Sequence, residues 1–264
     1  MHGLGNDFVI LDWRKANFNL PTALITGLAD RNYGVGFDQL AIIESGADDA
    51  HLRFFNADGS ASAACGNATR CIARYLMDEL KKPSLDLATD RGVLHAETSV
   101  DGLVSVNMGQ PLLAWQDIPL SKAMETLVLP IKGDPSATSM GNPHCTFFVD
   151  DIAAINLETD AAPIENHPLF PTRTNVQFAQ VIGKDHIRMR VWERGVGVTL
   201  ASGSSSCATA VTAARRGLTG HSVKIDVDGG ELKVDWRADG VWLTGPTMHV
   251  FSGSLTTQFL DSLL

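Results

Sequence analysis

The sequence predicts an α+β fold built from two pseudo-symmetric domains, each a mainly antiparallel sheet wrapped around a central helix. The chain of 264 residues is long enough for one large domain or for two of about 130 residues each. Two stretches about half a chain apart, CGNATRCIA (65–73) and SGSSSCATA (202–210), share a Gly, a small polar run and then a Cys. Strand-like runs joined by turn residues follow each stretch, so the pattern repeats as a unit.

Apolar periodicity predicts one helix in each repeat. In NATRCIARYLMDELKK (67–82), apolar side chains recur at helical spacing and Pro83 marks the end. In SSSCATAVTAARRGL (204–218), one face carries Ala, Cys and Val, arginines occupy the last turn, and Gly217 is expected just beyond it. Because that face is so small, we expect its neighbours to pack close to the helix axis.

Alternating apolar residues predict hairpins after both helices. HAETSVDGLVSVNM (95–108) turns at Asp101-Gly102, a hairpin signal. The segment 222–246 continues the pattern, with turns at Asp228-Gly229-Gly230 and Asp239-Gly240. We place the domain boundary near Gly109-Gln110-Pro111. This gives domains 1–110 and 111–248, with a tail of about 249–264 that returns to the first domain.

Composition and charge narrow the functional classes. Hydrophobic residues make up 44% of the chain and charged residues 19%, as in ordinary globular proteins. A net charge of −9 without a Lys/Arg cluster argues against a nucleic-acid partner, and no apolar run is long enough to span a membrane. The first residues lack the features of a signal peptide, so we expect a cytoplasmic protein. Scattered His and Cys residues argue against a metal site and against disulfides.

The two predicted helix starts are candidate anion sites. A helix N-terminus presents unpaired N–H groups and a partial positive charge, and glycine there lets a ligand approach the backbone. Gly66-Asn67 and Gly203-Ser204 are therefore candidate cradles for a carboxylate or phosphate, with ordinary capping as the alternative. If the domains face each other, both helix ends would point into one cleft and grip one anion. Dinucleotide and phosphate-loop motifs are excluded, because Leu200 stands where a third glycine is needed and no G-K-[ST] occurs.

Cys65 is the strongest candidate for a catalytic residue. A thiolate at a helix N-terminus is favoured by the helix dipole, which suits a general base or a nucleophile. Cys71 and Cys207 fall on apolar helix faces and Cys145 opens an apolar run, so we expect all three in the core.

Asparagines at the ends of strand-like runs form a second group of candidates. Their amides offer a donor and an acceptor, as recognition of an amino acid requires, although each alone is also typical of a turn. They are Asn6, Asn56, Asn142 and Asn175.

Together these motifs resemble the diaminopimelate epimerase family of cofactor-independent amino-acid epimerases. The matching blocks run in order along the chain: HGLGNDF (2–8), GFDQL (36–40), FNADGS…CGNATRC (55–71), MGNPHC (140–145), RTNV (173–176) and ERGVG (193–197). The resemblance implies an active site in the cleft between the domains and no cofactor. It also implies a diaminopimelate substrate, a place in lysine and peptidoglycan-precursor biosynthesis, and a homodimer.

The resemblance further implies a two-base mechanism that converts LL-diaminopimelate to the meso form. One Cys thiolate removes the α-proton from one face and a second thiol reprotonates the other. Cys65 is then one acid/base residue and Ser202 occupies the position of the second. His144 is expected near the thiols, where it would help to set their charge, with a hydrogen-bonded loop histidine as the alternative. The implied substrate-binding positions are Asn6, Gln39, Asn56, Gly66, Asn67, Asn142, Asn175, Glu193, Arg194, Gly203 and Ser204. Of these, Arg194 suits a carboxylate and Glu193 an ammonium group.

Ser202 departs from the family, whose motif A-C-G-[ST] reads Ala201-Ser202-Gly203-Ser204 here. A thiol titrates near ~8.5 and a serine hydroxyl far above it, so proton transfer on that face is expected to be slower by roughly several powers of ten. Three explanations stay open: an engineered replacement that traps ligand or prevents oxidation, a natural variant that uses an activated hydroxyl or water, and a one-base isomerase, dehydratase or racemase. Outside enzymes, a non-catalytic amino-acid-binding protein is the alternative.

Overall fold

The computed structural model describes residues 1–15, 20–62, 65–99 and 101–263. The chain divides into two compact units. Unit 1 comprises Met1–Val106 and Pro246–Leu264, and unit 2 comprises Asn107–Gly245. The division into functional domains given by the sequence, 1–110 with 249–264 and 111–248, stays a prediction.

Unit 1 is a mixed sheet with a long helix packed on it. In spatial order its strands are β1 (His2–Gly3), β2 (Asn6–Asp12), β3 (Gln39–Glu44), β4 (Ala50–Asn56), β6 (Ser84–Thr89), β7 (Gly92–Thr98) and β8 (Val104–Asn107), with β5 (Ala61–Ser62) paired to β4. The helices are α1 (Thr22–Ala29), α2 (Gly66–Leu80) and α6 (Thr257–Asp261). Strands β2 and β3, and strands β4 and β6, pair in parallel because a helix connects the members of each pair. The described pairs otherwise run antiparallel.

Helix α2 confirms the first predicted helix. It begins at Gly66, ends at Leu80 and is followed by Lys81 in the left-handed conformation (φ +56°). Cys71, Ile72 and Leu76 are fully buried on the face that packs against β1, β2, β6 and β7. Burying such side chains contributes about 1.5–3 kcal/mol each for the larger ones.

Unit 2 repeats this arrangement. Its strands, in spatial order, are β16 (Gly240–Gly245), β15 (Gly230–Arg237), β14 (Ser222–Val227), β12 (His186–Glu193), β11 (Asn175–Gly183), β10 (Pro143–Phe148) and β9 (Ser136–Ser139), with β13 (Gly197–Thr199) paired to β12. A 3-10 turn (Ile152–Ala154) and the helices α3 (Leu157–Asp160) and α4 (Ala162–Glu165) precede β11, and α5 (Gly203–Arg215) follows β13. Strands β10 and β11, and strands β12 and β14, are the parallel pairs.

Helix α5 confirms the second predicted helix and the close packing expected around it. Most of its residues are buried, since β9–β11 and β14–β16 pack around it. Thr209 and Thr212 are fully buried, and their hydroxyls reach the Met189 sulfur at 3.2 Å and the Thr138 hydroxyl at 3.0 Å. Gly217 follows the helix with φ +68°, as predicted.

The predicted turns are also confirmed, by glycines with positive φ. Gly102 (φ +72°) lies between β7 and β8, while Gly230 (+138°) and Gly240 (+143°) open β15 and β16. Val100, which belongs to the first predicted hairpin, lies outside the described residues.

Followed from β1 to β8 in unit 1 and from β9 to β16 in unit 2, the strands pair in the same order and the same sense. In each unit the long helix follows a short strand that pairs with the fourth strand. The predicted α+β class is therefore confirmed, since in each unit mainly antiparallel strands pack around a long helix. Within the described ranges, no helix combines the length and apolar character needed to cross a bilayer.

Candidate functional site

Cys65 forms the N-cap of helix α2. Its backbone is extended (φ −141°, ψ 109°), and its Sγ atom accepts the Ala68 N–H at 3.5 Å. The Thr69 hydroxyl donates to the Cys65 carbonyl at 2.8 Å and fixes the cap. The thiol is partly exposed. An N–H donor and the positive end of a helix both favour a negative charge on the sulfur.

Four of the predicted binding residues of unit 1 form two amide pairs. Gln39 and Asn56 lie opposite each other across β3 and β4, and Gln39 Nε2 donates to Asn56 Oδ1 at 2.9 Å. Asn67, the second residue of α2, donates from its Nδ2 to Asn6 Oδ1 at 3.1 Å. Asn67 Oδ1 is buried and has no hydrogen-bond partner among the described residues, so it is an acceptor available to a ligand donor.

An ionic cluster of Asp7, Arg31 and Asp38 holds the Asn6 side chain. Asp38 Oδ2 accepts from Asn6 Nδ2 at 2.8 Å, and Arg31 donates to both Asp7 oxygens (2.8 and 2.9 Å) and to Asp38 at 3.0 Å. Partial burial by itself would raise the pKa of Asp7, but the Arg31 hydrogen bonds and charge, with those from Asp38, bring that pKa below its ordinary value of 3.8. Sequence reasoning missed Arg31 and Asp38, although Asp38 stands inside the GFDQL block.

Ser202 forms the corresponding N-cap of helix α5, but its hydroxyl points elsewhere. Its Oγ donates to Glu193 Oε2 at 2.8 Å and, in the described part of the chain, makes no capping bond to the helix. Thr199 Oγ1 donates to the other Glu193 oxygen at 2.6 Å. Ser202 is only 3% exposed. Both Glu193 oxygens thus accept from hydroxyls of unit 2, and the predicted contact with an ammonium group stays a prediction.

A series of buried hydrogen bonds holds the Asn142 side chain. His144 Nε2 donates to Asn142 Oδ1 at 2.9 Å, while its Nδ1 accepts from Gln177 Nε2 at 2.9 Å. Gln177 also donates to Ser205 Oγ at 3.0 Å, and Asn142 Nδ2 reaches Ser204 Oγ at 3.4 Å. His144 is fully buried, and in these contacts it orients an asparagine. Its expected influence on the thiols stays a prediction.

Asn175 holds the backbone of Arg194. Asn175 Oδ1 accepts the Arg194 N–H at 3.0 Å, and its Nδ2 donates to the Pro143 carbonyl at 2.9 Å. The Arg194 guanidinium donates to the Thr172 carbonyl at 3.1 Å. Burial, followed by the charge of Arg173, lowers the pKa of Arg194, but its ordinary value is so high that it stays a cation.

Gly66 and Asn67 open α2, and Gly203 and Ser204 open α5. The first N–H groups of a helix lack acceptors inside the helix, so each pair presents donors as a carboxylate cradle requires. That they bind a ligand stays a prediction.

The remaining cysteines lie in the core, as predicted. Cys71, Cys145 and Cys207 are fully buried. Burial raises the pKa of Cys71 to about 11 and also raises that of Cys145. In the described part of the chain, no group of three or more His, Cys, Asp or Glu side chains is placed to hold a metal ion.

Sequence reasoning missed Gln177, Ser205 and Glu165. A usable signal existed for Gln177, because a glutamine interrupts the apolar run NVQFAQV two residues after a predicted binding residue. Glu165 gave no local signal, since its partners lie 8 to 30 residues away.

Comparison with known proteins gives the same assignment for nearly the whole chain. A sequence profile of the family described as diaminopimelate epimerase matches residues 1–114 and 136–250. The diaminopimelate epimerase of Rhodospirillum centenum is 48% identical over 100% of this chain and 94% of its own, and that of Gluconobacter oxydans is 49% identical over 96% of both.

Solved structures share the fold at lower identity. A probable proline racemase from Agrobacterium radiobacter superimposes with a TM-score of 0.65 at 17% identity, covering 97% of this chain and 92% of that one. A protein described as a predicted epimerase from Pseudomonas aeruginosa gives 0.65 at 17% identity, over 91% and 90%. At these identities the likeness concerns the fold.

The fold, its two capped helices and these relatives define an isomerase, an epimerase in the broad sense. The particular family follows from the profile match and from relatives that are nearly half identical over almost the full length. The chain belongs to the diaminopimelate epimerase family.

Proposed function

We propose that the chain converts LL-diaminopimelate to the meso form by cofactor-independent proton transfer, within lysine and peptidoglycan-precursor biosynthesis. Cys65 is the working acid/base residue, and Ser202 in place of the second thiol reduces the rate. The observation that carries the proposal is the pair of topologically equivalent helix N-caps, Cys65 and Ser202. Predicted binding residues form hydrogen bonds at both helix starts, Asn6 with Asn67 of α2 and Glu193 with Ser202. The named relatives support a small amino-acid substrate. A cytoplasmic location and a homodimer stay predictions.

On the Cys65 face, the chemistry follows from the cap. The thiolate accepts the α-proton while the Gly66 and Asn67 N–H groups offer donors to the α-carboxylate. The Asn6–Asn67 pair adds the free Asn67 oxygen as an acceptor for the substrate ammonium.

On the Ser202 face, the hydroxyl is a poor substitute for a thiol. To protonate the carbanion it would become an alkoxide beside Glu193, and two like charges at 2.8 Å disfavour each other. In the reverse reaction, where this face must accept the α-proton, Glu193 is the adjacent group that would act as base. A carboxylate titrates near ~4.3 against ~8.5 for a thiol, so it is the weaker base.

Proton exchange in D2O, followed by NMR for each diaminopimelate stereoisomer, tests the proposal. We expect fast α-deuteration of one isomer and slow formation of its epimer. Exchange with no inversion would identify a one-base enzyme, and release of water would identify a dehydratase. Tight binding with no exchange at either centre would establish the amino-acid-binding protein instead.

Ser202→Cys should raise the epimerisation rate by about 10²–10⁴, the usual contribution of a positioned general acid or base. Ser254→Cys, in the exposed tail, adds a thiol away from the cap and serves as the control. An unchanged rate in Ser202→Cys would contradict the assignment of residue 202.

A further inference from the structure

A buried carboxylate outside the assigned site holds part of it. Glu165 is the last residue of α4 and is only 6% exposed. Its Oε2 accepts the Trp192 indole N–H at 2.6 Å, and its Oε1 accepts the Gly195 N–H at 2.9 Å and an Arg173 N–H at 3.1 Å. A buried carboxylate is costly unless it is paired and hydrogen-bonded in this way, so the contacts are specific.

The partners of Glu165 enclose two predicted site residues. Trp192 precedes Glu193 and Gly195 follows Arg194, so one carboxylate binds the Trp192 side chain before the pair and the Gly195 backbone after it. Gly195 has φ +77°, and the Val196 N–H donates to the Glu193 carbonyl at 3.0 Å to close the turn. The turn at 193–196 is therefore fixed by Glu165 from one side and by the Asn175 contact to the Arg194 N–H from the other.

We propose that Glu165 is a positioning residue that fixes the 193–196 turn and so sets the directions of the Glu193 and Arg194 side chains. The role rests on the proposed function of those two residues. Glu165 also pairs with the Arg173 guanidinium, so the cation next to Arg194 has its own carboxylate partner and leaves Arg194 to bind substrate. Its sequence context, IENHPLF, gives no hint of this role.

Only a carboxylate satisfies all three donors. In Glu165→Gln the amide has a single oxygen, and its NH2 group faces either the indole N–H or the Gly195 N–H with the Arg173 guanidinium. The substitution keeps the size of the side chain and breaks at least one of the contacts.

NMR on the full-length, 15N-labelled protein tests the contact directly. In Glu165→Gln we expect the Trp192 indole and Gly195 amide resonances to move upfield, because a charge-assisted hydrogen bond is lost. Glu158→Gln, an exposed glutamate of α3, is the matched control and should leave both resonances in place. Unmoved resonances in Glu165→Gln would overturn the proposal.

Steady-state kinetics with diaminopimelate test the positioning role. A turn displaced by about 1 Å costs up to about 100-fold, and we expect a rise of about tenfold or more in KM with a smaller fall in kcat. Moved resonances with wild-type KM and kcat would also overturn the role. A wild-type chain that neither binds nor turns over diaminopimelate would refute the proposed function instead, and the resonances would then decide alone whether Glu165 holds the turn.

Discussion

The N-caps of α2 and α5 occupy the same place in the topology and differ in their chemistry. Cys65 Sγ accepts an N–H of its own helix, whereas Ser202 Oγ donates to the Glu193 carboxylate. The first cap therefore favours a negative charge on its side chain, and the second favours a side chain that keeps its proton. Repetition of the backbone has preserved the positions, while the neighbours of each position set its chemistry.

Other equivalent positions of the two units also differ in the chemistry of their side chains. Phe8 lies opposite Gln39 in unit 1 just as His144 lies opposite Asn175 in unit 2. Counting from these pairs and from the caps, Ala41 and Ala68 correspond to Gln177 and Ser205. The side chains of Phe8, Ala41 and Ala68 are apolar and need only close packing. Those of His144, Gln177 and Ser205 are polar, and their burial is stable only while each has a hydrogen-bond partner. Unit 2 thus depends on a connected hydrogen-bond network that unit 1 lacks at these positions.

Replacing each N-cap residue by alanine should give the largest difference in the rate of α-proton exchange. Cys65→Ala should reduce α-proton exchange by about 10²–10⁴, since it removes the working base. Ser202→Ala should change exchange at the same centre by less than about threefold, because the hydroxyl contributes little there. Equal losses in the two variants, measured by NMR in D2O, would show that the caps are chemically alike.

Glu193→Gln should have the next largest effect. The amide keeps one acceptor but loses the charge that Ser202 and Thr199 face, and we expect epimer formation to slow by about tenfold. Deuteration by Cys65 should slow less. If both rates fall by the same factor, Glu193 acts on binding alone.

Gln177→Leu should test the polar layer through stability. It removes the oxygen that accepts from the Thr146 hydroxyl and the amide that donates to His144 Nδ1 and Ser205 Oγ, and a buried polar group that loses its partner costs about 1–3 kcal/mol. We expect the free energy of unfolding in urea to fall by at least about 2 kcal/mol. A variant as stable as wild type would show that the network adds no net stability.

The smallest effect concerns the cluster that supports Asn6. Because the folded-state pKa of Asp7 lies below its ordinary value, its contribution to stability is present above that value and is lost as the pH falls through the folded pKa. Asp7→Asn should therefore lower stability at neutral pH by less than about 1 kcal/mol, as expected of an exposed pair, and the difference from wild type should vanish in acid. Thermal unfolding measured at decreasing pH, from neutral into acid, follows this loss. A difference that persists in acid would contradict the ionic explanation.

Local patterns were sufficient for the two long helices, the hairpins that follow them and the capped positions. The apolar spacing predicted α2 and α5 to within a few residues, and Asp-Gly steps marked turns such as that at Gly102. The parallel pairs β2–β3 and β10–β11 were not predicted, because their partners are separated by whole helical connections and periodicity within a strand does not reveal its neighbour.

The site was predictable only where a motif stood in the sequence. Cys65, Asn6 and Glu193 stand in recognisable blocks, but the bond between Ser202 and Glu193 depends on how β12, β13 and α5 follow one another in space. Glu165 shows the limit most clearly, since a buried carboxylate in a short helix carries no mark in the sequence of the donors that surround it.

The burial of three of the four cysteines has a consequence for chemical labelling. Cys71, Cys145 and Cys207 are shielded from solvent, and the first two also hold their protons firmly. Cys65 is the cysteine that combines exposure with a helix end. An electrophile such as iodoacetamide should therefore modify the native chain at one site, and a single mass increment would report directly on the occupancy of that cap by ligand.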